Sequence, residues 1–420
     1  MTYIFLIVMI LIVLFQYWRE HNIMNCVSIL IVPYIIIVFL NKVIFEKLGF
    51  NKISDEVLLL LITSFISFFI GSMIATPNTI PIICEEDNEL RYEKYNISAM
   101  ANFVIILGII GTIKLVQLIL TGSFRTNFDE MEGVMGNGIV GHLLLVTYAL
   151  VPILFLYWID HKKEIKCIIA VLLIVSVTFS TFVKYSVIGI IVSIFICTTI
   201  YKKSLLKKSV LAMVSIVVIV FVANYLIGFV LRNIKVDNTF YLNHFWIYAG
   251  GSVLYDNGIF NGAVTNEQSI LYRLCIFLFA LPNMFIKKLD NGIGIFQHIK
   301  KPFISIGSGY GMQSNVVDAL GYLFPYKHGV IEIMLYYILL FVFGFFFTRI
   351  YIKSKRNSKY FNIFVVNFLT YFVFFSFFGT FYINSAPWEI LIYSAIVPCL
   401  FLKRSDIFHG VIRIPRSVHN

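Results

Sequence analysis

Charge is scarce in this sequence. Of its 420 residues, 13% are Asp, Glu, Lys or Arg and 59% are apolar, with a mean hydropathy of +0.88. So small a supply of charge cannot clothe a water-soluble domain, so the bilayer is the solvent. Cysteine patterning is lacking too. Cys26, Cys84, Cys167, Cys197, Cys275 and Cys399 lie in or beside apolar runs. With no C-x-x-C pair and no histidine at zinc-ligand spacing, neither a disulfide framework nor a metal site is expected. No Walker motif, H-E-x-x-H, G-x-S-x-G or haem-binding pattern occurs, which removes support for ATP-driven transport and familiar protease chemistry. No cofactor is expected. The stretch Thr2 to Trp18 lacks the positive n-region and small-residue cleavage site of a signal peptide. It is expected to remain as a span, with no soluble domain at either end. No internal repeat with paired broken helices, of the kind transporters are built from, is visible.

Positive charge, by contrast, is in excess. The formal net charge is +11, but the basic residues fall in short clusters between apolar runs, as in loops that stay cytoplasmic. That distribution argues against a nucleic-acid partner and for membrane lipids.

A helix needs about 20 apolar residues to cross the hydrocarbon core. Runs near that length, bounded by charges, predict eleven spans, at roughly residues 2–18, 23–40, 57–75, 100–120, 139–159, 167–182, 186–200, 209–231, 330–348, 361–382 and 388–402. Cys167 to Ile200 is too long for one span and is interrupted by Lys184, which predicts two short helices meeting there. The expected fold class is therefore an all-α polytopic membrane protein with about eleven transmembrane helices, residues 1–420 forming a single membrane domain.

The basic clusters at His161-Lys162-Lys163, Lys202-Lys203, Lys207-Lys208, Lys353 to Lys359 and Lys403-Arg404 predict a cytoplasmic C-terminus. Eleven spans then put the N-terminus outside, with the loops at 41–56, 121–138, 183–185, 232–329 and 383–387. Lys42, Lys47 and Lys52 go against the rule. Reading the apolar stretch 270–286 as a twelfth span would invert everything before it. Before residue 270, the eleven-span reading leaves ten basic loop residues inside and seven outside, and inversion swaps those numbers. The stretch is therefore read as re-entrant or interfacial.

The largest hydrophilic segment, 232–329, holds eight basic residues, five acidic residues and eleven glycines, interleaved with aromatics such as Phe240, Tyr241, Trp246 and Tyr248. This predicts a large extracytoplasmic loop with re-entrant or amphipathic helices, folded as a partly embedded cap. Gly307 to Gly311 lacks the strand-then-helix context of a phosphate-binding fingerprint and reads as a flexible or close-approach loop. The acidic run Glu85 to Glu89 reads as a solvated cytoplasmic loop.

Cations on the outer face are the main chemical signal, because the positive-inside rule disfavours them there. Arg125, Lys184, Arg232 and Arg273 could converge on an anionic headgroup, most naturally a lipid-linked diphosphate, through charge-assisted hydrogen bonds. Lys287-Lys288 and Lys300-Lys301 read rather as interfacial anchors, and Lys114 with Gln117 as structural or substrate-path residues. His298, His328, Asp256, Asp290, Asp318 and Glu332 are candidates for a general base, and His328 is well placed immediately before a span. His142 and Glu389, just inside the outer ends of their spans, could line a pocket or be helix-terminal polar residues.

Three segments carry a family resemblance. Tyr248-Ala249-Gly250-Gly251-Ser252-Val253-Leu254-Tyr255-Asp256 is like an aromatic-x-Gly-small segment opening an outer loop. Ser180-Thr181-Phe182-Val183-Lys184 is like a Ser-x-x-Arg hairpin. Asn315-Val316-Val317-Asp318, followed by Tyr326-Lys327-His328-Gly329, is like an Asn-x-x-Thr segment and an Asp-Phe-Gly before a span. Together with the span count and the large late loop, they resemble the bacterial O-antigen and oligosaccharide repeat-unit polymerases, the Wzy family. Lys184 stands where arginine is usual, Asp318 where threonine is, and Lys327-His328 where Asp-Phe is.

The resemblance implies a GT-C-like or O-antigen polymerase/ligase-like bundle in the bacterial inner membrane. It also implies transfer of a growing glycan from undecaprenyl diphosphate to an incoming lipid-linked repeat unit, with a chain-length regulator as a partner. Under that reading Arg125, Lys184, Arg232 and Arg273 hold the diphosphates, His328 or Asp318 is the base, and Trp246, Tyr248 and Asn315 contact sugars. The rivals are an O-antigen ligase, which would want an outer His-Asn pair where this chain has Ser314-Asn315, and a flippase or transporter, which would want short outer loops.

Overall fold

The computed structural model describes residues 1–76, 92, 94–121, 138–180, 184–232, 239–261, 269–275, 303–312, 318–325, 329–356, 362–379 and 381–403. The elements in chain order are α1 (Thr2–Glu20), α2 (Cys26–Leu40), α3 (Asp55–Ala75), α4 (Ile97–Leu120), α5 (Gly138–Asp160), α6 (Ile165–Ser180), α7 (Lys184–Tyr201) and α8 (Leu206–Arg232). They continue with α9 (Thr239–Tyr255), α10 (Asn257–Phe260), α11 (Ile270–Cys275), β1 (Ile304–Gly307), β2 (Tyr310–Met312), α12 (Ala319–Leu323), α13 (Val330–Arg356), α14 (Ile363–Phe368) and α15 (Ser385–Ile396). Among the described residues, seven helices are long and apolar enough to cross a membrane. Four shorter apolar helices, at 165–180, 186–201, 363–377 and 385–401, fall at further expected span positions. The chain is a mostly α-helical, polytopic membrane protein.

Its residues gather into two compact units, each assembled from separate stretches of chain. The first holds Met1–Ile82, Asn233–Lys355 and Phe368–Trp388; the second holds Ile83–Arg232, Arg356–Asn367 and Glu389–Asn420.

In the first unit, α3 and α13 touch backbone to backbone. A Cβ on Gly71 would lie 2.0 Å from the Phe341 carbonyl oxygen, and one on Gly344 would lie 2.0 Å from that of Phe68. Lipid tails are as apolar as leucine, so packing and interhelical hydrogen bonds must hold such a pair. They run along this seam: Thr63 to the Tyr337 hydroxyl at 2.8 Å, Ser64 to the Tyr336 hydroxyl at 2.8 Å, Ser67 to the Tyr337 carbonyl at 2.6 Å, and Ser72 to Thr348 at 2.8 Å. Arg19 at the end of α1 closes the C-terminus of α3 by donating to the carbonyls of Met73 and Thr76.

Two pieces of 232–329, the β1–β2 hairpin and the start of α10 at Asn257, are built onto the corner between α2 and α3. After α2 the chain passes through a π-turn (Asn41–Phe45) and a 3-10 turn to Gly49, whose φ is 89°. On this corner sits the β1–β2 hairpin, a departure from the all-helical expectation. Ser308 N–H donates to the Gly49 carbonyl at 2.7 Å, and Asn51 N–H donates to the Ile306 carbonyl at 2.8 Å. The segment read as a loop from its glycines is therefore paired β-structure. Gly307, at φ 93°, is obligatory there because a Cβ would fall 2.5 Å from the Gly49 oxygen. Asn257 accepts from Ser54 N–H at 2.8 Å and donates to the Lys52 carbonyl at 2.9 Å. The same corner settles two of the lysines that go against the charge rule: Lys42 pairs with Glu46 at 2.7 Å and Lys52 with Asp55 at 3.1 Å. Of the stretch expected to re-enter, 270–275 form α11, and the remainder lies outside the described residues.

In the second unit, α4 packs on α5 and α6, α5 also packs on α6 and α7, and α7 packs on α8. One end of this unit gathers segments far apart in sequence: Tyr92 and Lys202 both reach Asp160, at 2.9 and 2.5 Å, Asn96 N–H reaches the Phe401 carbonyl, and Lys403 N–H reaches that of Lys94. These are segments whose basic clusters are expected on one side of the membrane.

The α3–α13 contact makes a prediction. Gly71→Ala should destabilise the protein by roughly 1–3 kcal/mol, read as a lower unfolding midpoint of the purified protein in detergent. Gly329→Ala, where an added Cβ meets nothing within 4 Å, should leave it unchanged. Equal midpoints for wild type and Gly71→Ala would mean that the seam is not close-packed.

Candidate functional site

Asp256 and Asp318 are both fully buried in the first unit. Asp318 is the N-cap of α12, with its carboxylate accepting from the N–H of Gly321. Asp256 sits at the break between α9 and α10. A Cβ on residue 321 would come within 2.1 Å of an Asp256 oxygen, so glycine lets the two acids approach. Burial pushes both carboxyls up, Asp318 to about 7, and the neighbouring carboxyl raises Asp256 as well. Among the described residues no N–H or O–H donates to either Asp256 oxygen, and Asp318 faces the Tyr34 hydroxyl. Two buried acids this close disfavour double ionisation, so their titrations belong to the pair.

Arg273, expected at a surface diphosphate site, is instead fully buried. One guanidinium nitrogen donates to the carbonyls of Tyr322 at 2.7 Å and Phe324 at 2.8 Å, so the side chain ties α11 to the C-terminal end of α12. Glu332 accepts from Ile270 N–H at 2.9 Å and holds the start of the same helix. Trp246 is fully buried with its ring stacked on Phe45, centroids 4.0 Å apart. Tyr248 is exposed and lies over Phe378. Asp318 and Asp256 are thus brought together, close to neither solvent nor one another in sequence.

The second unit carries a different polar arrangement. Asp160 at the end of α5 pairs with Lys202 just beyond α7, so these two helices run in the same direction. Their N-termini, at Gly138 and Lys184, consequently share the opposite end. α8 turns back along α7 and brings its last residue, Arg232, towards that end as well. There His142, in the second turn of α5, meets Glu389, in the second turn of α15: Nδ1 lies 2.6 Å from the carboxylate. Tyr393, one turn further along α15, donates to the same carboxylate oxygen at 3.4 Å. Lys114 donates to Gln117 on its own helix at 3.3 Å. At the unit's other end a cavity of about 390 Å³ opens between Tyr92, Tyr157, His161, Glu164 and Lys403.

Arg125, Asn315, His328, His298, Asp290, Lys287, Lys288, Lys300 and Lys301 lie outside the described residues. The His142–Glu389 pair was visible in the sequence only as two polar residues near the outer ends of apolar runs. Nothing in a sequence links residues 247 positions apart.

The buried acids predict a pH dependence. A carboxyl whose folded-state pKa is raised contributes stability that is full below the ordinary carboxylate range and is lost as pH rises through the folded value. Stability against unfolding should therefore fall between pH about 4 and pH about 7. Asp256→Asn, which removes one of the two buried ionisable acids, should flatten that decline and be more stable than wild type at pH 8, by roughly 1 kcal/mol or more. Thermal unfolding across this range checks it, and an undiminished slope in the variant would contradict a raised Asp256 carboxyl.

The chain matches no family model, no curated protein and no solved structure, so its functional reading rests on its own residues.

Proposed function

We propose that the protein is a glycosyltransferase of the bacterial plasma membrane that polymerises lipid-linked oligosaccharide repeat units, of O-antigen or capsule type, at the outer face. In this reading all eleven apolar helices are spans, the N-terminus is outside and the C-terminus inside. The growing glycan leaves undecaprenyl diphosphate and joins the incoming repeat unit, and a chain-length regulator is the partner.

The observation that carries the proposal is the gathering, at one end of the second unit, of the helix ends bearing Lys184 and Arg232. Departure of a diphosphate requires fixed cations where negative charge develops, and guanidinium and ammonium groups supply them without a metal ion. The diphosphate-binding role expected of Arg125 from the sequence belongs to the same proposal. The segment 232–329 adds support: its β-hairpin and Asn257 are held on the α2–α3 corner by backbone and side-chain hydrogen bonds, as in a folded loop and not a linker. The sugar-contact role expected of Tyr248, which is exposed, belongs to the same proposal, as do the expected roles of Asn315 and His328. A transporter reading would want short outer loops, and the 98 positions from 232 to 329 argue against it.

Deleting the gene and running the surface polysaccharide on a gel tests the proposal. Single-repeat glycan in place of a ladder is the expected result; an unchanged ladder, or loss of all surface glycan, would count against it. Arg232→Ala should abolish long chains while the protein stays inserted and abundant. Unaltered chain lengths would remove Arg232 from the diphosphate site.

A further inference from the structure

The His142–Glu389 pair is built asymmetrically. The Glu389 side chain is 2% exposed and the His142 side chain 43% exposed. A carboxylate buried among apolar helices is expensive and needs compensation, and intramembrane acids most often mark a pathway or a reacting group. Here two donors compensate it, the imidazole at 2.6 Å and the Tyr393 hydroxyl at 3.4 Å.

A carboxylate can only accept, so whenever the imidazole is neutral the contact selects the tautomer with its proton on Nδ1. That leaves Nε2 with its lone pair, on the side of the ring away from Glu389. An acid that fixes the tautomer and orientation of an imidazole, while the other ring nitrogen stays open, is the arrangement that makes histidine an effective proton acceptor.

We infer that His142, oriented by Glu389, is the general base of the glycosyl transfer, taking the proton from the acceptor sugar hydroxyl. This rests on the proposed function. The acceptor oxygen forms a bond to the anomeric carbon of the donor glycan as the bond from that carbon to the diphosphate oxygen breaks. The diphosphate departs with the bonding electron pair, and the hydroxyl proton passes to His142 Nε2. The imidazolium is held by the Glu389 carboxylate until it releases its proton to water. The helix ends bearing Lys184 and Arg232 lie at the same end of the unit, where the departing charge needs them. Glu389 touches no substrate in this scheme and is a positioning residue, with Tyr393 as its second donor.

The test uses full-length protein in lipid nanodiscs and, as substrate, the lipid-linked repeat unit extracted from the deletion strain. In His142→Asn the side-chain amide can still donate to Glu389, so the packing role is kept and the base is lost. Its kcat should fall roughly 100-fold with KM unchanged. Glu389→Gln, which removes the orienting acceptor, should lower kcat roughly 10-fold or more, again at constant KM. Imidazole added to His142→Ala should restore part of the rate.

A folded His142→Asn protein with wild-type kcat would overturn the inference. So would a loss of activity that follows only the amount of folded protein and does not respond to imidazole. Failure of the functional proposal looks different: wild-type protein would then make no chains from the extracted repeat unit.

Discussion

Hydrocarbon offers no water to hydrogen-bond a polar group, and this constraint shapes the whole molecule. Every hydroxyl, amide or charge placed on an apolar helix must find its partner within the protein. Where α3 crosses α13, four hydroxyl-bearing side chains of one helix meet hydroxyls or a carbonyl of the other, and a glycine from each lets the backbones touch. Such bonds are individually modest, roughly 0.6 kcal/mol on average. Spread along one seam, they fix the register of two helices that hydrophobicity alone would leave free to slide.

The same constraint explains how the strongest charges are handled. Lys42 and Lys52, which break the positive-inside pattern, are paired with acids three and four residues away, so the corner carries less net charge than its lysines suggest. Arg273 is wholly buried but spends its guanidinium on the open carbonyls at a helix end. Burial and their mutual proximity raise the carboxyls of Asp256 and Asp318, which disfavours carrying two charges there. Glu389 keeps its position by facing a histidine and a tyrosine. Each device is local, and each is a place where a single substitution leaves a buried group uncompensated.

These devices also separate two kinds of polar cluster. The acids of the first unit are closed off, and their hydrogen bonding reads as a clasp joining α9, α12 and α2. The His142–Glu389 pair has one buried and one part-exposed member. Asp318, a base candidate from its place in the sequence, is the buried cap of a short helix. His142, which the sequence offered only as a polar residue near the end of a span, keeps access from outside the bundle.

The apolar helices were legible because length and hydropathy are summed over about twenty residues, and small errors average out. Their ends were less so: the run read at 209–231 is the helix Leu206–Arg232, but that read at 330–348 continues eight residues further, to Arg356. The β-hairpin at 304–312 was not legible, because its strands are only four and three residues long and the corner at Gly49 and Asn51 onto which it docks lies about 250 residues earlier. Its glycines signalled close approach and not what approached. By itself, then, the sequence determined the solvent, the helices and their order, since these follow from local composition. Only the tertiary structure decided which polar groups meet, because a buried charge is stabilised by partners that folding brings from other helices, and that choice is made in space.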